Sequence, residues 1–149
     1  MSNIVIETYF RIDERFVPVE QFSGKLPDES YIEGAIFCVI DGCEILRMDQ
    51  WDLVDQLWPH IVEGLRKLDQ GLIYESFFPD QPLRLRLESI DRKNTKITIG
   101  NRSAYVDSMV FRSVMKRGAV EFFSRMKNII PRAAETWDRY QKEAETIRG

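Results

Sequence analysis

The stretch from Ala35 to Met48, AIFCVIDGCEILRM, decides the fold. It sets two apolar runs rich in β-formers on either side of Asp41-Gly42. Asp-Gly between such runs signals a two-residue type I′ turn, whose central residues both need a positive φ. That turn predicts Ile40 opposite Cys43 and Cys38 opposite Ile45. Ile36, Cys38, Ile40, Cys43 and Ile45 then share one face, and Phe37, Val39, Leu46 and Met48 share the other. With both faces apolar, the hairpin is expected inside a sheet or covered on both sides.

Downstream the period changes. Trp51, Val54, Trp58, Ile61, Leu65 and Leu68 recur every three or four residues, as one face of a helix requires. The expected helix is Asp49–Gln70, capped by Asp49, ended by Gly71, and kinked or broken at Pro59. Leu72–Phe78 reads as a strand and Pro79–Pro82 as a turn. Leu83, Leu85 and Leu87 then alternate with Arg84, Arg86 and Glu88, a strand with one wet face. Ile97 and Ile99 belong with those leucines. Pairing Leu87 with Ile99 leaves a loop of Arg92, Lys93 and Asn94, with Asn94 left-handed. Ala104–Val106 offers a further short strand. Phe111, Met115, Phe122 and Met126 mark a long helix ending near Pro131. Trp137, Tyr140, Ala144 and Ile147 mark a final one.

Upstream, Ile4–Ile12 reads as a strand. Asp13–Gly34 carries Pro18, Gly24 and Pro27, and its Phe16, Val17 and Phe22 make it a packed loop rather than a tether. We therefore expect one α+β domain over residues 1–149. Its mainly antiparallel sheet of five to seven strands carries one central helix and two C-terminal helices against it.

At 149 residues, with 44% hydrophobic and 30% charged residues, the chain has the composition of a globular domain. No apolar run approaches the ~20 residues of a membrane span. Two cysteines and no basic-then-apolar leader lead us to expect a reducing, cytoplasmic setting. Cys38 and Cys43 would sit diagonally, roughly 7–9 Å apart from strand spacing. That exceeds the usual disulfide span of about 6.8 Å, so both read as buried thiols.

Catalysis is mostly excluded by what is missing. A single histidine rules out most zinc and histidine-based schemes, and His60 reads as a surface residue on the helix. No nucleophile elbow, HExxH, glycine-rich phosphate loop or EF-hand loop occurs. We expect no enzyme, no cofactor and no metal, although chemistry by dispersed carboxylates stays open. Trp51, Trp58 and Trp137 fall on helical stripes and read as core.

Charge is the most informative feature. Asp13–Asp80 holds 15 acids against 5 bases, a net of −10. Gln81–Gly149 holds 8 acids against 15 bases, a net of +7. Such asymmetry favours a charged macromolecular partner. Asp52, Asp55, Gln56 and Glu63 lie off the helical stripe and are expected to form an acidic ridge that binds the partner. The alternative surface is basic: Arg84, Arg86, Lys93, Lys96 and Arg102 on the hairpin, with Arg112, Lys116 and Lys127 on a helix. A pI near 5.3 and the lack of a nucleic-acid motif make nucleic acid an unlikely partner.

The stretch WDLVDQLWPHIV, Trp51–Val62, with its preceding hairpin, resembles segments of small bacterial proteins. The chain as a whole is short, acidic and poor in motifs, with strands followed by helices. In that it is similar to immunity proteins of polymorphic-toxin and contact-dependent inhibition systems. The resemblance implies a cytoplasmic protein that binds and blocks one cognate toxin, and it carries over no functional residues. A regulatory or scaffolding subunit, with a homodimer that pairs acidic with basic patches as one form of it, is the alternative expectation.

Overall fold

The computed structural model describes residues 2–149. Its strands are β1 (Ile4–Ile12), β2 (Arg15–Pro18), β3 (Glu33–Ile40), β4 (Cys43–Leu46), β5 (Asp52–Leu53), β6 (Tyr74–Phe77), β7 (Arg84–Ser89), β8 (Asn94–Ile99) and β9 (Arg102–Asp107). Helix α1 (Val54–Asp69) separates the first five strands from the last four, and α2 (Ser108–Ile129) and α3 (Ala134–Glu145) close the chain. The fold is α+β with every strand pair antiparallel. The strands divide into two sheets, one ordered β2-β1-β3-β4 with β5 on β3, the other ordered β6-β7-β8-β9. The strands expected in one sheet of five to seven thus form two sheets, of five and four strands, with α1 connecting them.

Asp41 and Gly42 take φ of 49° and 82°, the type I′ turn that the sequence predicts, and Ile40 faces Cys43. Beyond that pair the ladder slips. A bulge between Cys38 and Val39 sets Cys38 opposite Leu46, not Ile45. The extra residue lets Ile45 and Leu46 both bury, while Cys43 turns to solvent. Only Cys38 is a buried thiol, and burial pushes its pKa up to about 12, which leaves it unreactive.

The second hairpin keeps the predicted face and shifts by two residues. Leu87 pairs with Ile97 and Leu85 with Ile99. The turn is organised by Asp91, whose carboxylate accepts from the N–H groups of Lys93 and Asn94, each at 2.8 Å. Asn94 is therefore a strand residue opposite Asp107, with no left-handed turn needed.

Helix α1 starts at Val54, five residues later than expected, because Met48–Gln50 forms a 3-10 turn and Asp52–Leu53 pairs with β3. Trp51 consequently lies before the helix, half-buried beneath the Arg11 guanidinium at 4.0 Å. Pro59 sits inside a helix that continues to Asp69, so the chain does not break there. The apolar stripe of α1 bridges the two sheets. Trp58 is fully buried, and its Nε1 donates to Thr8 Oγ1 on β1 at 3.1 Å. Two glycines mark where a helix backbone comes close to a large side chain. A Cβ on Gly64 would lie 2.7 Å from the Tyr74 ring, and one on Gly118 of α2 would lie 2.9 Å from the Trp58 ring. Helix α3 packs on α2 through Phe123 and Tyr140, with ring centroids 5.4 Å apart. Arg112 Nε reaches Asp69 Oδ1 at 2.9 Å, tying α2 to the end of α1.

Candidate functional site

The predicted acidic ridge does not exist as a ridge. Asp52 is only 3% exposed. Its carboxylate accepts from the N–H of Leu53 at 2.7 Å, the N–H of Asp80 at 3.0 Å and Gln81 Nε2 at 2.8 Å. It belongs to β5, not to a helix face, and it fastens the Pro79–Pro82 turn to the first sheet. Asp55 is half-buried with one oxygen lacking a partner, and burial pushes its pKa up to about 6. Gln56 and Glu63 are exposed on α1. His60, expected at the surface, is half-buried with Nδ1 enclosed and without a hydrogen-bond partner. No carboxylate orients its ring, so it lacks the support that a general base would have.

Acidity gathers elsewhere, around Tyr31. The two-residue turn Asp13-Glu14 joins β1 to β2, and both residues are left-handed, with φ of 50° and 64°. Neither is glycine, so the turn holds two exposed carboxylates at a backbone cost of roughly 1–2 kcal/mol per residue. Asp13, Glu14, Asp28 and Glu33 line a depression of about 340 Å³ that Tyr31 shares. Tyr31 also borders a second hollow of about 240 Å³, whose acids are Asp49, Asp52 and Asp80. The exposed Tyr31 hydroxyl donates to Asp80 Oδ2 at 2.8 Å, and that carboxylate raises the tyrosine pKa. Trp51 lies in the second hollow, under Arg11.

Pairing decides what this face offers. Glu33 meets Arg11 at 3.4 Å and Asp49 meets Arg47 at 3.0 Å. Among the described residues Asp13, Glu14, Asp28 and Asp80 have no such cation, so their field projects into solvent. The arrangement can capture a cationic surface and seat aromatic anchors within it.

The basic alternative is built differently. Arg84 and Arg86 both reach Glu75, at 3.4 and 2.8 Å, and Arg86 also reaches Glu88 at 3.7 Å. Lys96 stands 5.7 Å over the Tyr105 ring, and Lys93 is exposed in the β7–β8 turn. A further cleft of about 350 Å³ lies between β1 and α2, where Arg117, Glu121 and Arg125 meet Glu7 and Glu20. There Arg125 is occupied in donating to the carbonyls of Val19 and Phe22, at 3.4 and 2.7 Å. Among the described residues no group of three or more His, Cys, Asp or Glu is placed to hold a metal. No helix among them is long and apolar enough to cross a membrane.

The sequence missed Tyr31 and the Asp13-Glu14 turn. Its one usable signal was the acidic, proline-bearing segment Asp13–Gly34, which reads as a loop until β1 is known to turn back on itself. Comparison of the chain with family models, with curated proteins and with solved structures finds no match.

Proposed function

We propose that this protein is a cytoplasmic binding protein that neutralises a basic partner by stoichiometric binding, in the manner of an immunity protein against a toxin. The observation that supports it is the set of unpaired carboxylates, Asp13, Glu14, Asp28 and Asp80, around the exposed Tyr31. A toxin that attacks nucleic acid holds phosphate in a basic cleft, and an inhibitor that blocks that cleft does well to present carboxylates. Unpaired charges at a rim steer encounter, and an aromatic among them supplies area at low entropic cost. A regulatory or scaffolding subunit is the second reading, favoured by the cationic outer face of β6–β9.

The test compares capture from the native host by the wild-type chain and by a variant carrying Asp13→Lys, Asp28→Lys and Asp80→Lys. A basic protein held by the first and lost by the second should, once purified, form a 1:1 complex and lose its toxicity on co-expression. Capture indifferent to the three reversals would remove the acidic-face reading.

A further inference from the structure

The edge strand β6 pairs only with β7. Residues along an antiparallel strand alternate between bonding toward one neighbour and toward the other. Phe78 N donates to Leu83 O at 2.8 Å, so Ser76 and Tyr74, two and four residues back, also turn their backbone groups to β7. Ile73, Glu75 and Phe77 turn theirs to the open edge, and among the described residues no backbone hydrogen bond joins these three to another element; the Phe77 carbonyl accepts only a long bond from Ser76 Oγ, at 3.4 Å. Their side chains lie on the outer face, with Ile73 55% and Phe77 54% exposed. At the opposite edge, β9 is tied down: Arg102 donates to Glu44 O at 3.2 Å and Asp107 N donates to Ser2 Oγ at 2.8 Å.

The pattern is symmetric about Glu75, with a large exposed apolar residue two positions to either side. We propose that β6 pairs antiparallel with β6 of a second copy of this chain, with the two-fold axis passing through Glu75. This register engages the outward-turned backbone groups of all three residues and sets Ile73 of each copy against Phe77 of the other. Registers centred on Tyr74 or Ser76 leave one of the three unpaired and set Glu75 against an apolar residue. Glu75 faces its own copy, yet each carboxylate enters already held by Arg86 at 2.8 Å and Arg84 at 3.4 Å. Four guanidinium groups then surround two carboxylates. The pairing joins two four-stranded sheets into one and removes an open edge that favours indiscriminate association. It is independent of the partner proposed for the acidic face.

Sedimentation equilibrium of the full chain tests it. The wild type is expected to be a dimer, and Phe77→Lys should weaken dimerisation about tenfold, because symmetry removes two cross-strand apolar pairs together. Adding Ile73→Glu should restore it, since position 73 faces position 77 of the other copy. Thermal melts check that the variants fold. As a second measurement, Glu75→Cys in a Cys43→Ser background should oxidise to a covalent dimer, because hydrogen-bonded pairs hold Cα atoms about 5.5 Å apart. Ser76→Cys in the same background should remain reduced. A monomeric wild type, a dimer indifferent to Phe77→Lys, a double variant that dimerises no more tightly than Phe77→Lys alone, or equal cross-linking at 75 and 76 would overturn the proposal.

Discussion

The acidic face around Tyr31 and the outer face of β6–β9 both present charges and exposed aromatic rings, and they treat carboxylates in opposite ways. On the sheet, Glu75 answers Arg84 and Arg86 across neighbouring strands, and Lys96 lies over Tyr105. Around Tyr31, Asp13, Glu14, Asp28 and Asp80 stand without a cation among the described residues. Net charge along a sequence counts both kinds equally. A field that reaches a partner comes only from the second kind, because paired surface charges cancel within a few ångströms.

The sharpest way to break the comparison is at Asp52, the acid that looks like a surface residue in sequence and is a buried anchor in the fold. Asp52→Leu should destabilise the protein by about 2 kcal/mol in urea titrations, since the part-buried N–H groups of Leu53 and Asp80 lose their acceptor and Gln81 loses one of three. Asp80→Asn, on the exposed side of the same turn, should cost less than about 0.5 kcal/mol. Equal costs would mean that the two acids do not differ in kind.

Asp55 gives an effect that depends on pH. An aspartate in the unfolded chain titrates near 3.9, and in the folded protein this one titrates at about 6. Between those values the folded state binds more protons, so stability falls as pH rises through the window. Above about pH 6 the ionised carboxylate carries its full desolvation cost, and below about pH 4 both states are protonated and the cost vanishes. Asp55→Asn should therefore stabilise by about 1–2 kcal/mol at pH 7.5, less than the full shift implies because the side chain is partly wet, and by nothing at pH 4. Thermal melts at the two pH values check this.

Replacing Asp13-Glu14 with Asn-Gly should raise stability by about 1 kcal/mol, because those residues accept the left-handed turn more readily. The same change should weaken partner binding, and a variant that gains stability at no cost in affinity would show the strained acids to be incidental. The smallest effect is expected on the sheet, where Arg84→Gln should change stability by less than about 0.5 kcal/mol, as exposed ion pairs usually do.

The sequence made the backbone legible wherever local chemistry is decisive. Asp41-Gly42 sets its turn because few other dipeptides accept two positive φ values, and the Leu83–Leu87 alternation sets its buried face. It was silent where tertiary structure overrides local pattern. Trp51 keeps helical spacing with Val54 and Asp52 with Asp55, but pairing of Asp52–Leu53 with β3 takes them out of the helix. The Cys38 bulge shifts the register by one and brings Leu46 across to the face of Cys38, whereas the Asp91 turn shifts it by two and leaves Leu85, Leu87, Ile97 and Ile99 on their buried face. The candidate site was half legible. The acidic segment Asp13–Gly34 was visible as composition, whereas its meeting with Asp49 and Asp80 across Tyr31 depends on contacts 18 to 49 residues apart in sequence.

The central claim is that the unpaired acids around Tyr31, and not the bases on the outer face of β6–β9, carry recognition. Its most direct test is the dissociation constant of the purified complex, measured across a range of salt concentrations. The wild type would be compared with one variant reversed at Asp13, Asp28 and Asp80 and another reversed at Arg84, Arg86 and Lys96. The acidic-face variant should bind at least tenfold more weakly with a flattened salt dependence, and the sheet variant should bind within about twofold of wild type. Loss of affinity in the sheet variant alone would contradict the claim.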